Sequence, residues 1–147
     1  MSDYKTILLA IDLTEEADQV TQKALSICKE GIGIIHIAHI IEPISFAYGG
    51  DIPMDFSSIQ EDIQEQAEKQ VAEIASRYNI PKQQQHITMG RPETEIHQLA
   101  EELNADVIVI GSHGRHGLAL LLGSTANGVL HGAQCDVLAV RVGPTEK

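Results

Sequence analysis

DVIVIGSHGRHGLALLLGSTANGVLHGAQCDVLAVRV, residues 106–142, runs from an apolar stretch through a cluster of glycines and a short amphipathic segment to a second apolar stretch. Asp106–Ile110 and Asp136–Val142 lack the in-and-out alternation of a half-exposed strand, and each reads as a strand covered by helices on both sides. Between them, from about Ser124 to His131, the pattern is helical. Strand, loop, helix and strand in that order make a crossover unit, which joins parallel strands with right-handed connectivity.

Toward the N-terminus the same alternation repeats. Thr6–Ile11 is another apolar run and reads as a central strand. From about Thr14 to Cys28, Val20, Ala24, Ile27 and Cys28 fall at helical intervals, with Thr14 as a cap and Glu15 and Glu16 in the first turn. Gly31 and Gly33 then admit a second strand, Ile34–Ile41. Ser58 and Glu61 form a capping-box pattern ahead of Ile59, Ile63, Ala67, Val71, Ile74 and Tyr78, the clearest helical repeat in the chain, with Pro81 closing it. A weak strand follows at Gln85–Met89. Pro92 then suits the first position of a helix carrying Ile96, Leu99, Ala100 and Leu103. The expectation is one α/β domain over residues 1–147, a parallel sheet with helices on both faces.

Composition narrows the function. A formal charge of −11 with only 10 lysines and arginines argues against a nucleic-acid backbone as partner, because that binding depends on basic side chains replacing condensed counterions. Cys28 and Cys135 match no metal-binding or redox spacing and read as reduced packing residues. MSDYKTILLAID has neither the basic start nor the cleavage site of a secretion signal, and no apolar run reaches the ~20 residues that span a bilayer. A cytoplasmic protein without membrane contact is the expectation. Residues 42–56, EPISFAYGGDIPMDF, form a long loop of the kind that serves as a lid or partner surface.

In an open α/β sheet, ligands bind beside the carboxyl ends of the strands where strand order reverses. With an order of 3-2-1-4-5, that crevice lies between the first and fourth strands, where Ala10-Ile11-Asp12-Leu13 meets Gly111-Ser112-His113-Gly114. The familiar nucleotide signatures do not fit: AIDLTEEA follows the first strand where a dinucleotide fold wants GxGxxG, and GxxxxGK[ST] is absent. Glycines after the fourth strand nevertheless allow positive φ angles and a concave array of N–H groups. Gly123, Ser124 and Thr125 add a helix N-terminus, whose open amides and dipole favour an anion.

KTILLAIDLT, GRPETEI and VIVIGSHGRHG...GSTANGVL...CDVLAVRV together make the chain resemble the universal stress protein family over essentially its whole length. That resemblance implies a five-stranded parallel sheet of order 3-2-1-4-5 and a homodimer formed through the C-terminal strand, Val137 to Val142. In one branch of the family it implies ATP or another adenine nucleotide in the crevice, with or without Mg. Asp12 then matches the acid placed near ribose and adenine, and Ala10 and Ile40 match the small and apolar positions lining the base. Gly111 and Gly114 match the first phosphate-loop glycines, and Gly123 with Ser124 the closing pair, followed by Thr125. One departure stands out: the eight residues Arg115–Leu122 between Gly114 and Gly123 are one fewer than the nucleotide-binding pattern has. A nucleotide-free dimeric adaptor that binds protein partners through the 42–56 loop is the alternative implied by that shortening.

Other chemistry reads weakly. Ser112, His113 and Asp12 lack the strained elbow a hydrolytic serine needs, so no catalytic residue is assigned and at most weak ATP hydrolysis is expected. His113 and His116 lack a third ligand. His36 and His39, three apart on a strand, face opposite sides and cannot share a metal. Each is expected to have its own local hydrogen-bond partner.

Overall fold

A computed structural model of the chain describes residues 4–12, 17–28, 33–42, 57–111 and 124–141. Five strands, β1 (Thr6–Ala10), β2 (Ile34–Ile41), β3 (Gln85–Met89), β4 (Val107–Gly111) and β5 (Asp136–Val140), are joined in that chain order by helical connections. Among the described residues the helices are α1 (Ala17–Ile27), α2 (Ser57–Arg77), α3 (Pro92–Leu103) and α4 (Ser124–Gly132), with a 3₁₀ turn at Lys82–Gln84. All strands are parallel and lie in the order β3-β2-β1-β4-β5. The expected α/β doubly wound sheet of order 3-2-1-4-5 is therefore present.

Alternate residues of each central strand feed two separate cores. Ile7, Leu9, Ile35, Ile37, Val107 and Val109 pack beneath α1 and α2 with Val20, Ala24, Val71 and Ile74. Leu8, Ala10, Ala38, Ile108 and Ile110 pack beneath α3 and α4 with Ile96, Leu99 and Val129. Burial on both faces is why β1 and β4 read as unbroken apolar runs. Cys28 borders the first core and Cys135 the second, both as free thiols, so the sheet separates them.

The ends of the elements have identifiable causes. Asp106, read as the first residue of the fourth strand, sits just before β4, and its carboxylate accepts the backbone N–H groups of Lys5 and Thr6 at 3.0 and 2.9 Å. Its own N–H donates to Thr6 O at 2.7 Å, so β1 and β4 start in fixed register. α2 stops earlier than Pro81 requires: Asn79 takes a left-handed conformation (φ 58°), and Ile80 N–H reaches back to Ala75 O at 2.9 Å. Asn104 (φ 53°) ends α3 the same way, with Ala105 N–H on Ala100 O. Both are Schellman closures in which asparagine occupies the position glycine usually takes. α1 holds a buried threonine, Thr21, whose hydroxyl donates to Ala17 O at 2.8 Å and so needs no outside partner. The ladder of β5 ends at Val140, two residues short of the expected Val142, and Arg141 is exposed. The caps expected at Thr14 and Ser58 lie outside the described residues or side chains, as does most of the 42–56 loop.

Candidate functional site

The strand order places β1 and β4 side by side, with Ala10 directly opposite Ile110. β1 leads into α1 on one face of the sheet, whereas β4 leads into α4 on the other, so their exits diverge and leave a crevice at the carboxyl ends. One residue past the Ala10–Ile110 pair stand Ile11 and Gly111, and after Ile11 the chain presents Asp12, which is exposed.

The exit of β1 is held on its β2 side. Ile11 N–H extends the ladder onto Ala38 O at 3.0 Å, and His39 Nδ1 donates to Ile11 O at 2.9 Å. A carbonyl oxygen only accepts, so Nδ1 must carry the hydrogen. Both backbone groups of Ile11 are thus fixed immediately before Asp12.

The floor of the crevice is apolar. Ala10 and Ile110 are buried, and Ile40, half-buried, packs against the same cluster from β2. Ala10 and Ile40 therefore meet on the face covered by α3 and α4, with Asp12 and Gly111 at its rim. Gly114 and Gly123 lie outside the described residues. Ser124 and Thr125 form the first turn of α4 through their backbone, their side chains lying outside the description. Because α4 returns the chain from β4 to the parallel β5, its N-terminus lies at the carboxyl side of the sheet.

α4 is positioned by close packing on α3. A Cβ at Gly128 would stand 2.9 Å from Glu93 Cβ, and one at Gly132 would stand 2.6 Å from His97 Cε1. His97 is anchored by an Nε2–H···O bond to Val129 at 2.8 Å. These two glycines, four apart, let the helices approach: a side chain at 128 would press on the backbone-fixed Cβ of Glu93, and one at 132 would displace the His97 ring. Before α3, Gly90 has φ +153°, and a Cβ there would lie 2.7 Å from Glu95 Oε2. The four-residue glycine spacing was present in the sequence, masked by the denser run of glycines just before it.

A second hollow lies at the opposite, amino end of the strands. It is a cleft of about 200 Å³ lined by residues that include His97, Asn104, Ile108, Gly132 and Cys135. That is below the range of roughly 300–1,000 Å³ typical of small-molecule sites. Burial, reinforced by Asp136 and Asp106, raises the Cys135 thiol above its ordinary pKa, leaving it protonated and a poor nucleophile. Among the described residues no group of three or more His, Cys, Asp and Glu stands together as a metal centre, and no helix is long and apolar enough to cross a membrane. His36, the other strand histidine, meets His86 of β3, with Nδ1 and Nε2 2.9 Å apart.

Fold and crevice together define an open α/β domain of the type that receives ligands at a strand-order reversal. The family model that describes the universal stress protein family matches residues 3–141, and the chain belongs to that family. It is 39% identical over 138 residues to universal stress protein A homolog 1 of Coxiella burnetii, covering 93% of this chain and 96% of that one. Universal stress protein G of Escherichia coli O157:H7 is 32% identical over 142 residues, covering 94% and 99% of the two chains. Among solved structures, that of hypothetical protein MJ0577 superposes with a TM-score of 0.80 at 23% identity, covering 97% and 99% of the two chains. A universal stress protein solved in complex with cAMP superposes with a TM-score of 0.64 at 21% identity, covering 95% and 98%.

Proposed function

We propose that the protein is an adenine-nucleotide-binding stress-response regulator that works as a cytoplasmic homodimer. The observation that carries this reading is the pairing of Ala10 with Ile110 at the strand-order reversal, which sets Asp12 and Gly111 on the rim of one crevice with Ala10 and Ile40 as its floor. An apolar floor suits a base, and the carboxylate of Asp12 can accept from a ribose hydroxyl. Gly111, Gly114 and Gly123, with the amides of Ser124 and Thr125 at the start of α4, would hold the phosphates. A related fold carrying cAMP supports an adenine nucleotide as the ligand class. The residues so assigned bind and orient; none is assigned to activate water.

β5 lies at one edge of the sheet, and among the described residues no strand pairs with its outer side. Unpaired edges of this kind invite pairing with another chain, which supports the homodimer through the strand from Val137. The test is to purify the protein without added nucleotide, denature it and identify what is released. ATP, ADP or AMP in near-stoichiometric amount is expected. A chain that releases none, and whose melting temperature does not respond to added ATP, is not a nucleotide binder.

The shortened Arg115–Leu122 segment favours a second reading, a nucleotide-free dimeric adaptor with a protein partner on the 42–56 loop. Partners lost on deleting that loop, yet retained on replacing Gly114 by a bulky residue, would identify this case.

A further inference from the structure

His36 on β2 and His86 on β3 face each other across the sheet, with Nδ1 of the first 2.9 Å from Nε2 of the second and ring centroids 5.1 Å apart. His86 lies opposite Ala38, two residues along from His36, so the rings form a diagonal pair on the face covered by α3. Both are partly buried. At that distance one ring nitrogen must carry the hydrogen and the other must accept it. Two nitrogens supply only half the ligands of a usual metal centre, and no third His, Cys, Asp or Glu among the described residues completes one. The exchangeable cation at this contact is therefore a proton.

The groups around the pair set the order in which protons arrive. On α3, Glu102 is the charge that acts on His86, and Gln98 holds it from one turn away at 3.4 Å. Glu101, on the flank of α3 toward α4, lines the cleft instead, and Glu95 sits against Gly90 near the other end of the helix. β1 offers Leu8 opposite His36 and no charge. His39 faces the other side of the sheet on Ile11, and Lys82 lies in the turn before β3. Burial lowers the pKa of both rings below the ordinary imidazole value, the charge on His86 lowers His36 further, and Glu102 partly offsets the effect at His86. Glu102 thus favours His86 as the ring that takes the first proton, and the resulting imidazolium can still share a hydrogen with neutral His36.

We propose that the His36–His86 contact is an acid-operated latch on β3: one shared hydrogen closes it, and a second added proton forces the rings apart. β3 is an edge strand whose one neighbour among the described residues is β2, so opening the pair loosens β3 from β2 and leaves the central strands intact.

Ring-nitrogen and ring-carbon NMR of the full chain, followed from about pH 8 to about pH 4, reads the proton uptake. Amide exchange, corrected for its intrinsic pH dependence, reads the strand. The expected result is two separated titration steps, His86 before His36, with Gln85–Met89 losing about tenfold of their protection relative to β1 and β4 across the second step. In His86→Gln that acid-dependent loss disappears. Two rings titrating independently at the ordinary imidazole value would overturn the latch, as would equal acid opening of β3 in wild type and His86→Gln. If His86→Gln does not fold, His36→Gln serves in its place, and the ring titration of the wild type decides the question without either variant.

Discussion

His39 Nδ1 and Ile11 O lie 2.9 Å apart, and this hydrogen bond ties the exit of β1 to the side of β2. It acts one residue before Asp12, on the only backbone acceptor of Ile11. Replacing His39 by leucine leaves that partly buried carbonyl without its partner, a loss of roughly 1–3 kcal/mol. His39→Asn puts an amide nitrogen close to the place of Nδ1 and restores much of that stability. Chemical denaturation of the three proteins should rank them wild type, His39→Asn, His39→Leu. A leucine variant as stable as wild type would remove the structural weight given to this bond.

Asp12 is exposed and belongs to neither core, so replacing it by alanine leaves the buried packing intact and the variant folds. A hydrogen bond from a ribose hydroxyl to a charged carboxylate contributes roughly 1.5–3 kcal/mol, a loss of about tenfold to a hundredfold in nucleotide affinity. Titration calorimetry with ATP on wild type and Asp12→Ala measures that loss. Equal affinities would place the nucleotide elsewhere or turn Asp12 away from it.

Gly128 and Gly132 set opposing effects against each other. In an exposed helix, glycine to alanine gains up to about 1 kcal/mol from helix propensity. Here the added methyl at position 128 meets Glu93 Cβ at 2.9 Å, an atom fixed to the backbone of α3, so the helices themselves must separate. At position 132 the obstacle is the His97 ring edge at 2.6 Å, which can swing away once its bond to Val129 O is broken. Overpacking of about 1–3 kcal/mol wins at both positions, with Gly128→Ala the more costly because no side chain can absorb it. Thermal melting should show both variants lowered, in that order.

The sheet was legible because its evidence is local and repeated. Ile7–Ala10 and Val107–Ile110 are apolar at every position and buried throughout, as a strand between two helical layers requires. Element ends were less legible, since Pro81 is a conspicuous stop signal whereas Asn79 terminates α2 through a left-handed φ that its residue type permits but does not announce. The crevice was half legible. Ala10, Asp12 and Gly111 follow from strand ends and topology, but His39 belongs to it only through a tertiary bond to Ile11 that no sequence spacing encodes. The same holds for His36 and His86, 50 residues apart, whose meeting depends on the register of β2 with β3.

Stability should fall as the medium is acidified below the ordinary imidazole value, and the sign follows from proton counting. His36 and His86 have folded-state pKa values below those of the unfolded chain, so between the two values the unfolded state binds more protons. Unfolding free energy then rises with pH across that window, and the stability present above about pH 6.5 is lost as pH falls through the folded values. His36→Gln removes one of the two titrating rings and with it the mutual repulsion, so its curve of unfolding free energy against pH is flatter over the same interval. Urea denaturation at closely spaced pH values measures both slopes, and parallel curves from about pH 7 to about pH 5 would mean that the pair takes up its protons no differently folded than unfolded.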